Sequence, residues 1–291
     1  MSEIEIYLES IRDACPDFVI EKVNSFNREG QFNDIFVIND GLIFRFPRYS
    51  EGAASLITEI QILKYLQGYV SLPIPNPIYS NIEAKMGSRV FMGYRIIHGE
   101  PLWREKLAGI TDDQTLQRLA NQLARFLKEL HNLPVEGVFE NLPIHDGPDE
   151  WAKMYADIQQ GLYGFMRPDA RTWVSNHFEA YLNKPQLHKY EACLRHGDFG
   201  PSNILYNANG QTISGIIDFE SIGLGDPAID IASASCYGEE FLERFYKAYP
   251  EIGLMIERAR FYKGTFALQE ALHGFKYKDR EAFESGMADY V

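Results

Sequence analysis

The spacing of apolar positions changes period several times along the chain. Ile4, Leu8 and Ile11 recur at helical spacing behind the capping pattern that runs from Ser2 to Glu5, which predicts a first helix. Residues 19–26, 34–38 and 42–46 are short β-type runs, and Asn39-Asp40-Gly41 between the last two predicts a hairpin turn. Residues 50–67 read as a helix with Leu56, Ile60 and Leu63 on one face, and residues 90–97 as another strand. From Thr111 the pattern turns helical. Thr111-Asp112-Asp113-Gln114 reads as a second capping box, followed by Leu116, Leu119, Leu123, Phe126, Leu127 and Leu130. Trp151, Met154, Tyr155, Ile158 and Leu162 repeat the period, as do Trp173, Val174, Phe178 and Tyr181. One β island, residues 194–219, interrupts the helices before they resume near Asp226.

This order predicts an α+β protein of two lobes. Residues 1–97 would form a small β-rich lobe with one key helix. Residues 98–291 would form a larger, mostly helical lobe that carries a β-hairpin. The length of 291 residues suits such a division.

Composition narrows the function. Hydrophobic residues at 45% and charged residues at 24% are ordinary for a globular chain. A net charge of −13 argues against nonspecific binding to nucleic acid or an anionic membrane, since neutralising phosphate takes Lys and Arg. It leaves room for cationic partners. The start lacks a secretory pattern, and no apolar window is long enough to span a bilayer. Three widely spaced cysteines, Cys15, Cys193 and Cys236, argue against a disulfide framework, and the expected compartment is the reducing cytoplasm.

The chemistry concentrates in the β island. His196-Gly197-Asp198 is followed by Asn203, and Asp218 ends an apolar run. Asp and Asn favour turns by themselves. As a set at these spacings they suit Mg²⁺, which takes one or two protein oxygens and keeps other positions for water and phosphate. Asp198 would then accept a proton from a substrate hydroxyl. In the small lobe Glu59 lies on the apolar face of its helix, where it needs a cation, and Arg45 on the preceding strand is the candidate.

The set His196-x-Asp198-x₄-Asn203, Ile217-Asp218-Phe219 and Gly225-Asp226-Pro227-x₂-Asp230 resembles the aminoglycoside phosphotransferases. These are small-molecule kinases with a protein-kinase-like fold. Leu42-Ile43-Phe44-Arg45-Phe46-Pro47, the helix with Glu59-Ile60-x-Ile62-Leu63, and Leu72-Pro73-Ile74-Pro75 are similar to the 2″-phosphotransferase branch. The resemblance implies Asp198 as catalytic base, Asn203 and Asp218 as Mg²⁺ ligands, and ATP or GTP as phosphate donor. Arg45 would stand where the family has a phosphate-contacting lysine, with Glu59 as its partner. The loop 25–33 with Gly30 would cover the phosphates, and Tyr94, Arg95, Ile96 and Ile97 would form the purine-binding hinge. His196, Asp226 and Asp230 would brace the catalytic loop, Asp226 also capping a helix before Pro227. Glu239, Glu240, Tyr237, Glu270 and Glu220 are the expected contacts to a polycationic aminoglycoside. Other amine-bearing alcohols of the choline, homoserine, sugar or macrolide type are alternative acceptors. A nucleotide-binding protein with little transferase activity is a further alternative, motivated by Arg45 and the Gly-poor loop.

Overall fold

The computed structural model describes residues 3–27, 33–83, 89–135, 137, 139 and 142–291. Ser2 of the first capping pattern and Gly30 of the expected phosphate loop lie outside the described residues. The first elements are α1 (Glu3–Ala14), β1 (Val23–Asn27), β2 (Asn33–Ile38), β3 (Leu42–Pro47), α2 (Ser50–Leu66), β4 (Tyr79–Asn81), β5 (Phe91–Arg95) and β6 (Glu100–Pro101). Four helices follow: α3 (Arg104–Ala108), α4 (Asp113–His131), α5 (Pro148–Gly161) and α6 (Pro168–Leu182). Next come β7 (Cys193–Arg195), β8 (Ile204–Asn207), β9 (Thr212–Ile216) and β10 (Gly223–Gly225). The chain ends with α7 (Ala228–Ala234), α8 (Glu239–Ala248), α9 (Ile256–Tyr277) and α10 (Arg280–Met287).

The chain divides into two compact units, Met1–Leu102 with Ser202–Glu220, and Trp103–Pro201 with Ser221–Val291. The expected boundary at residue 97 differs from this division in one important respect. The β8–β9 hairpin groups with the first unit, because β6 pairs with β8 and the Ile216 amide donates to the Pro73 carbonyl at 2.9 Å.

In the first unit a five-stranded antiparallel sheet runs β1-β2-β3-β5-β4. Asn39 (φ 52°) and Asp40 (φ 57°) both adopt left-handed backbone in the β2–β3 turn, matching the right-handed strand twist. The run expected to begin at residue 19 pairs only from Val23. The Asn39 side chain accepts from the Glu21 and Lys22 amides, so those N–H groups bond a side chain rather than a neighbouring strand. Successive β3 side chains face opposite sides of the sheet. Phe44 and Phe46 pack with Tyr7 and Ile11 of α1, while Arg45 points the other way.

In the second unit α4 packs on α8, and α9 packs on α7 and α10. Asp112, rather than Thr111, caps α4: its carboxylate accepts from the Thr115 amide at 2.8 Å. Leu119, Leu123, Phe126, Leu127 and Leu130 are fully buried, as the helical period predicts. Trp173 departs from its expected apolar face and is 45% exposed. β7 pairs antiparallel with β10, and Ile144 bridges to Leu224 on the far side of β10.

Candidate active site

Arg45 and Glu59 form a buried ion pair, Nη1 to Oε1 at 2.8 Å, with the two residues 4% and 1% exposed. The second guanidinium nitrogen faces Asp218 at 3.4 Å and Glu220 at 3.5 Å. Burial works against the arginine's charge, but the carboxylates of Glu59, Asp218 and Glu220 outweigh it and keep Arg45 protonated. Burial pushes the Glu59 carboxyl up to about 7, against the pull of Arg45. Tyr94 also borders Arg45, and burial pushes its hydroxyl up to about 12. A lysine carries its donors on one nitrogen at the end of an unbranched stem, so it lacks the spread by which Nη1 meets Glu59 while Nη2 faces Asp218 and Glu220. Arg45→Lys is therefore expected to weaken nucleotide binding by about ten-fold, the cost of one charge-assisted hydrogen bond. Calorimetric titration of nucleotide checks this, and equal or tighter binding by the variant would show that the fork is dispensable.

Asp218 follows β9 with φ 63° and leaves the strand there, two residues after its last paired position. The Ile217 amide donates to the Asn203 carbonyl at 2.9 Å, so Asn203 and Asp218 emerge at the same end of the hairpin. Both offer hard oxygens. Three carboxyl groups face the Arg45 guanidinium, a concentration of hard oxygens suited to a divalent cation. Among the described residues no group of three or more His, Cys, Asp or Glu could hold a metal ion.

Glu220, expected as an acceptor contact, lies in this Arg45 cluster. It accepts from the Asn33 side chain at 2.9 Å, and its partners lie in the first unit. Burial raises its pKa, opposed by Arg45. The hinge expectation also narrows. The Tyr94 backbone pairs with Ile43, and the Ile96 amide donates to the Gly41 carbonyl at 2.9 Å, so that amide is not offered to a purine.

In the second unit Asp198 is exposed, at the end of a turn through Gly197 (φ 85°). Its amide donates to His196 Nδ1 at 3.3 Å. Asp230, fully buried on α7, accepts from the His196 amide at 2.9 Å and the Gly197 amide at 2.8 Å. His131 at the end of α4 joins the same carboxylate through Nε2 at 3.0 Å, while its Nδ1 meets the Tyr249 hydroxyl at 3.3 Å. Burial opposes ionisation of Asp230, yet His131, His196 and the Gly197 amide hold its pKa below the usual carboxylate range. His196 and Asp230, expected to brace this loop, are thus hydrogen-bonded to each other, and Asp230 also to Gly197.

Asp226 is a different case. Its carboxylate accepts from the Ala228 amide at 3.0 Å, as a cap would, although the helix begins one residue later than expected, after Pro227. Its larger commitment is to α9. Arg258 donates to it from Nε at 2.5 Å and Nη2 at 3.0 Å, and the Tyr262 hydroxyl donates at 2.8 Å. Asp226 therefore ties the start of α7 to α9.

Tyr237 and Glu240 line one cavity of about 520 Å³ with Arg104, Asp113, Phe241 and Arg244. Its wall is not simply acidic, since Arg244 pairs with Asp113 at 2.8 Å and Glu240 at 3.4 Å. Glu239 and Glu270 are exposed and are not among the residues lining this cavity. Glu239 sits in the first turn of α8, where a carboxylate complements the helix dipole.

Sequence reasoning missed Asn33, His131 and Arg258. A histidine at position i+4 from Leu127 on an apolar face was the available signal for His131. Nothing local marks Arg258, whose partner lies 32 residues away.

The comparisons with known proteins agree with this geometry. Viomycin phosphotransferase of Streptomyces vinaceus is 28% identical over 270 residues, covering 90% of this chain and 91% of that protein. The GDP and kanamycin complex of APH(2")-IIia superposes with a TM-score of 0.87 at 28% identity, over 97% of this chain and 96% of that one. The gentamicin complex of APH(2")-IIa has a TM-score of 0.79 at 22% identity, over 99% and 96%, and shows the shared fold. The family model described as "Phosphotransferase enzyme family" matches residues 25–262, which include both the Arg45 cluster and the Asp198 turn with its Asp230 support, and the chain belongs to that family.

Proposed function

We propose that the protein transfers the γ-phosphate of ATP or GTP to a hydroxyl of an aminoglycoside. The first unit would be the nucleotide-binding part, with Arg45 set against phosphate oxygens by Glu59, and with Asn203 and Asp218 as the residues that would hold Mg²⁺. Mg²⁺ when bound supplies neutralisation of charge on the transferring phosphoryl group. The second unit would present the acceptor to Asp198, which orients the hydroxyl and takes its proton at a carboxylate oxygen. Asp230 holds the backbone beneath that carboxylate, so that little reorganisation is needed at the moment of transfer. The cavity lined by Tyr237 and Glu240 is the candidate acceptor site, with Glu240 as the ammonium contact. A cytoplasmic location fits the supply of nucleoside triphosphate.

The single observation that carries the reading is the buried guanidinium faced by Glu59, Asp218 and Glu220, a cation beside hard oxygens as a metal–phosphate group would need. The likeness to a kanamycin complex over nearly the whole chain supports the acceptor class. A second acceptor, viomycin, is favoured by the identity to a viomycin phosphotransferase along 90% of the chain. A coupled assay of nucleoside diphosphate release tests both, with Mg²⁺, ATP and GTP, and a panel of kanamycin, gentamicin, streptomycin, viomycin, choline and neutral alcohols. Release with the aminoglycosides is the expected result. Release with viomycin alone moves the acceptor to the second reading, and release only with neutral alcohols overturns both.

A further inference from the structure

Arg195 immediately precedes His196 and is 7% exposed. It donates from Nε to Asp146 Oδ2 at 2.8 Å and from Nη2 to Oδ1 at 3.5 Å, a bidentate grip on a carboxylate that is itself 6% exposed. Its remaining guanidinium nitrogen donates to the Ser221 carbonyl. Asp146 is in turn fixed on every side. Its backbone is left-handed (φ 66°), and its amide donates to Glu150 at 2.6 Å. Its carbonyl accepts from the Trp151 indole at 3.1 Å, and its Oδ2 accepts from the Asp226 amide at 3.2 Å.

Two glycines are dictated by this arrangement. A Cβ on Gly225 would run into Asp146 Oδ2 and Arg195 Nε, so Asp146 reaches Arg195 across β10 only because residue 225 has no side chain. A Cβ on Gly197 would run into the Arg195 guanidinium and the Ser221 carbonyl, and its φ of 85° already favours glycine. The guanidinium is therefore packed directly beneath the turn that carries Asp198.

We propose that Asp146 and Arg195 are positioning residues for the transfer reaction: the guanidinium, aimed by the Asp146 carboxylate, pins the Gly197 turn against the Ser221 carbonyl and so sets the direction in which Asp198 is presented. Asp230 holds the same turn by its amides, and Arg195 holds it from the side where a side chain would otherwise stand. The inference rests on Asp198 as the acceptor-facing carboxylate.

The test uses the full chain with Arg195→Lys and Asp146→Asn. Lysine keeps the charge and loses the fork. Each variant is examined by steady-state kinetics, by thermal unfolding, and by amide hydrogen exchange of peptides spanning residues 194–201. Expected for Arg195→Lys is a fall in kcat of about 100-fold, the cost of an ångström-scale misplacement. The KM values for nucleotide and acceptor should stay within about two-fold, the signature of a loss felt in the transition state. Exchange should quicken in peptides 194–201 and stay unchanged in peptides of α4 and α9. A folded Arg195→Lys with kcat within about three-fold of wild type, or with KM rather than kcat altered, overturns the proposal. If Asp146→Asn fails to fold, Arg195→Lys decides alone. If the wild type turns over no acceptor in the panel, the acceptor reading falls, and the exchange of the 194–201 peptides still decides the positioning role.

Discussion

Asp198→Asn is expected to lower kcat by about 1,000-fold, within the usual range for loss of a positioned general base. Asparagine has nearly the same shape and keeps a carbonyl oxygen, but it cannot take a proton. The turn that presents it is held through backbone amides. His196 and Gly197 are held through their backbone amides by Asp230, and residue 198 offers its own amide to His196. Because Asp198 is exposed, its neutralisation should change stability by no more than about 0.5 kcal/mol. Nucleotide affinity should remain near wild type, since the Arg45 cluster belongs to the other unit. Product release, calorimetric nucleotide binding and thermal unfolding together check these outcomes. A variant with kcat within ten-fold of wild type, on the order of 1 kcal/mol of barrier, would remove Asp198 from the chemistry.

Asp226→Ala is expected to produce the largest loss of stability. The carboxylate is fully buried and serves two Arg258 nitrogens, the Tyr262 hydroxyl and the Ala228 amide. Removing it leaves a guanidinium without its counter-charge in a closed interior. Breaking a buried pair from one side costs about 3–5 kcal/mol. For a chain of this size that corresponds to a fall in melting temperature of about 10 °C. The same carboxylate, with burial, pushes the Tyr262 hydroxyl far up, so Asp226 is the acceptor that keeps this tyrosine a donor. Asp226→Leu combined with Arg258→Met should recover much of the loss, because it removes both charges rather than one. Unfolding by denaturant checks the single and double changes. A single variant as stable as the double would mean that Arg258 finds another partner.

Much of the fold was legible because local pattern and tertiary demand coincide. The period of α4, the face of α2 that buries Glu59 beside Leu56 and Leu63, and the Asn39-Asp40 turn are each enforced by a few neighbouring residues. The Arg45–Glu59 pair was legible too, since a carboxylate on an apolar stripe requires a cation and the preceding strand offers one. Glu220 was not. Its position beside Asp218 leaves its direction open, and Asn33, 187 residues earlier, decides it. The directions of the acceptor candidates were hidden for a related reason. Glu239 and Glu240 are adjacent on a helix and therefore point about 100° apart, so only one lines the cavity. Arg244, one turn on, then neutralises that one.

The sequence by itself determined which chemistry is present. The spacing of His196, Asp198, Asn203 and Asp218 is that of a set suited to a divalent cation, and with Arg45 and Glu59 it carries the resemblance to the phosphotransferases, because these groups lie within single turns, a hairpin and one strand–helix pair. Only the tertiary structure decided how rigidly that set is held. Asp230 receives His131 from α4, Arg195 meets Asp146 from a segment 49 residues earlier, and Asp226 meets Arg258 from α9. The physical reason is burial. A charged side chain reads the same in a sequence whether it faces water or a partner. Only in the folded interior, where an unpaired charge is too costly to keep, does each of these groups acquire one fixed partner and a direction.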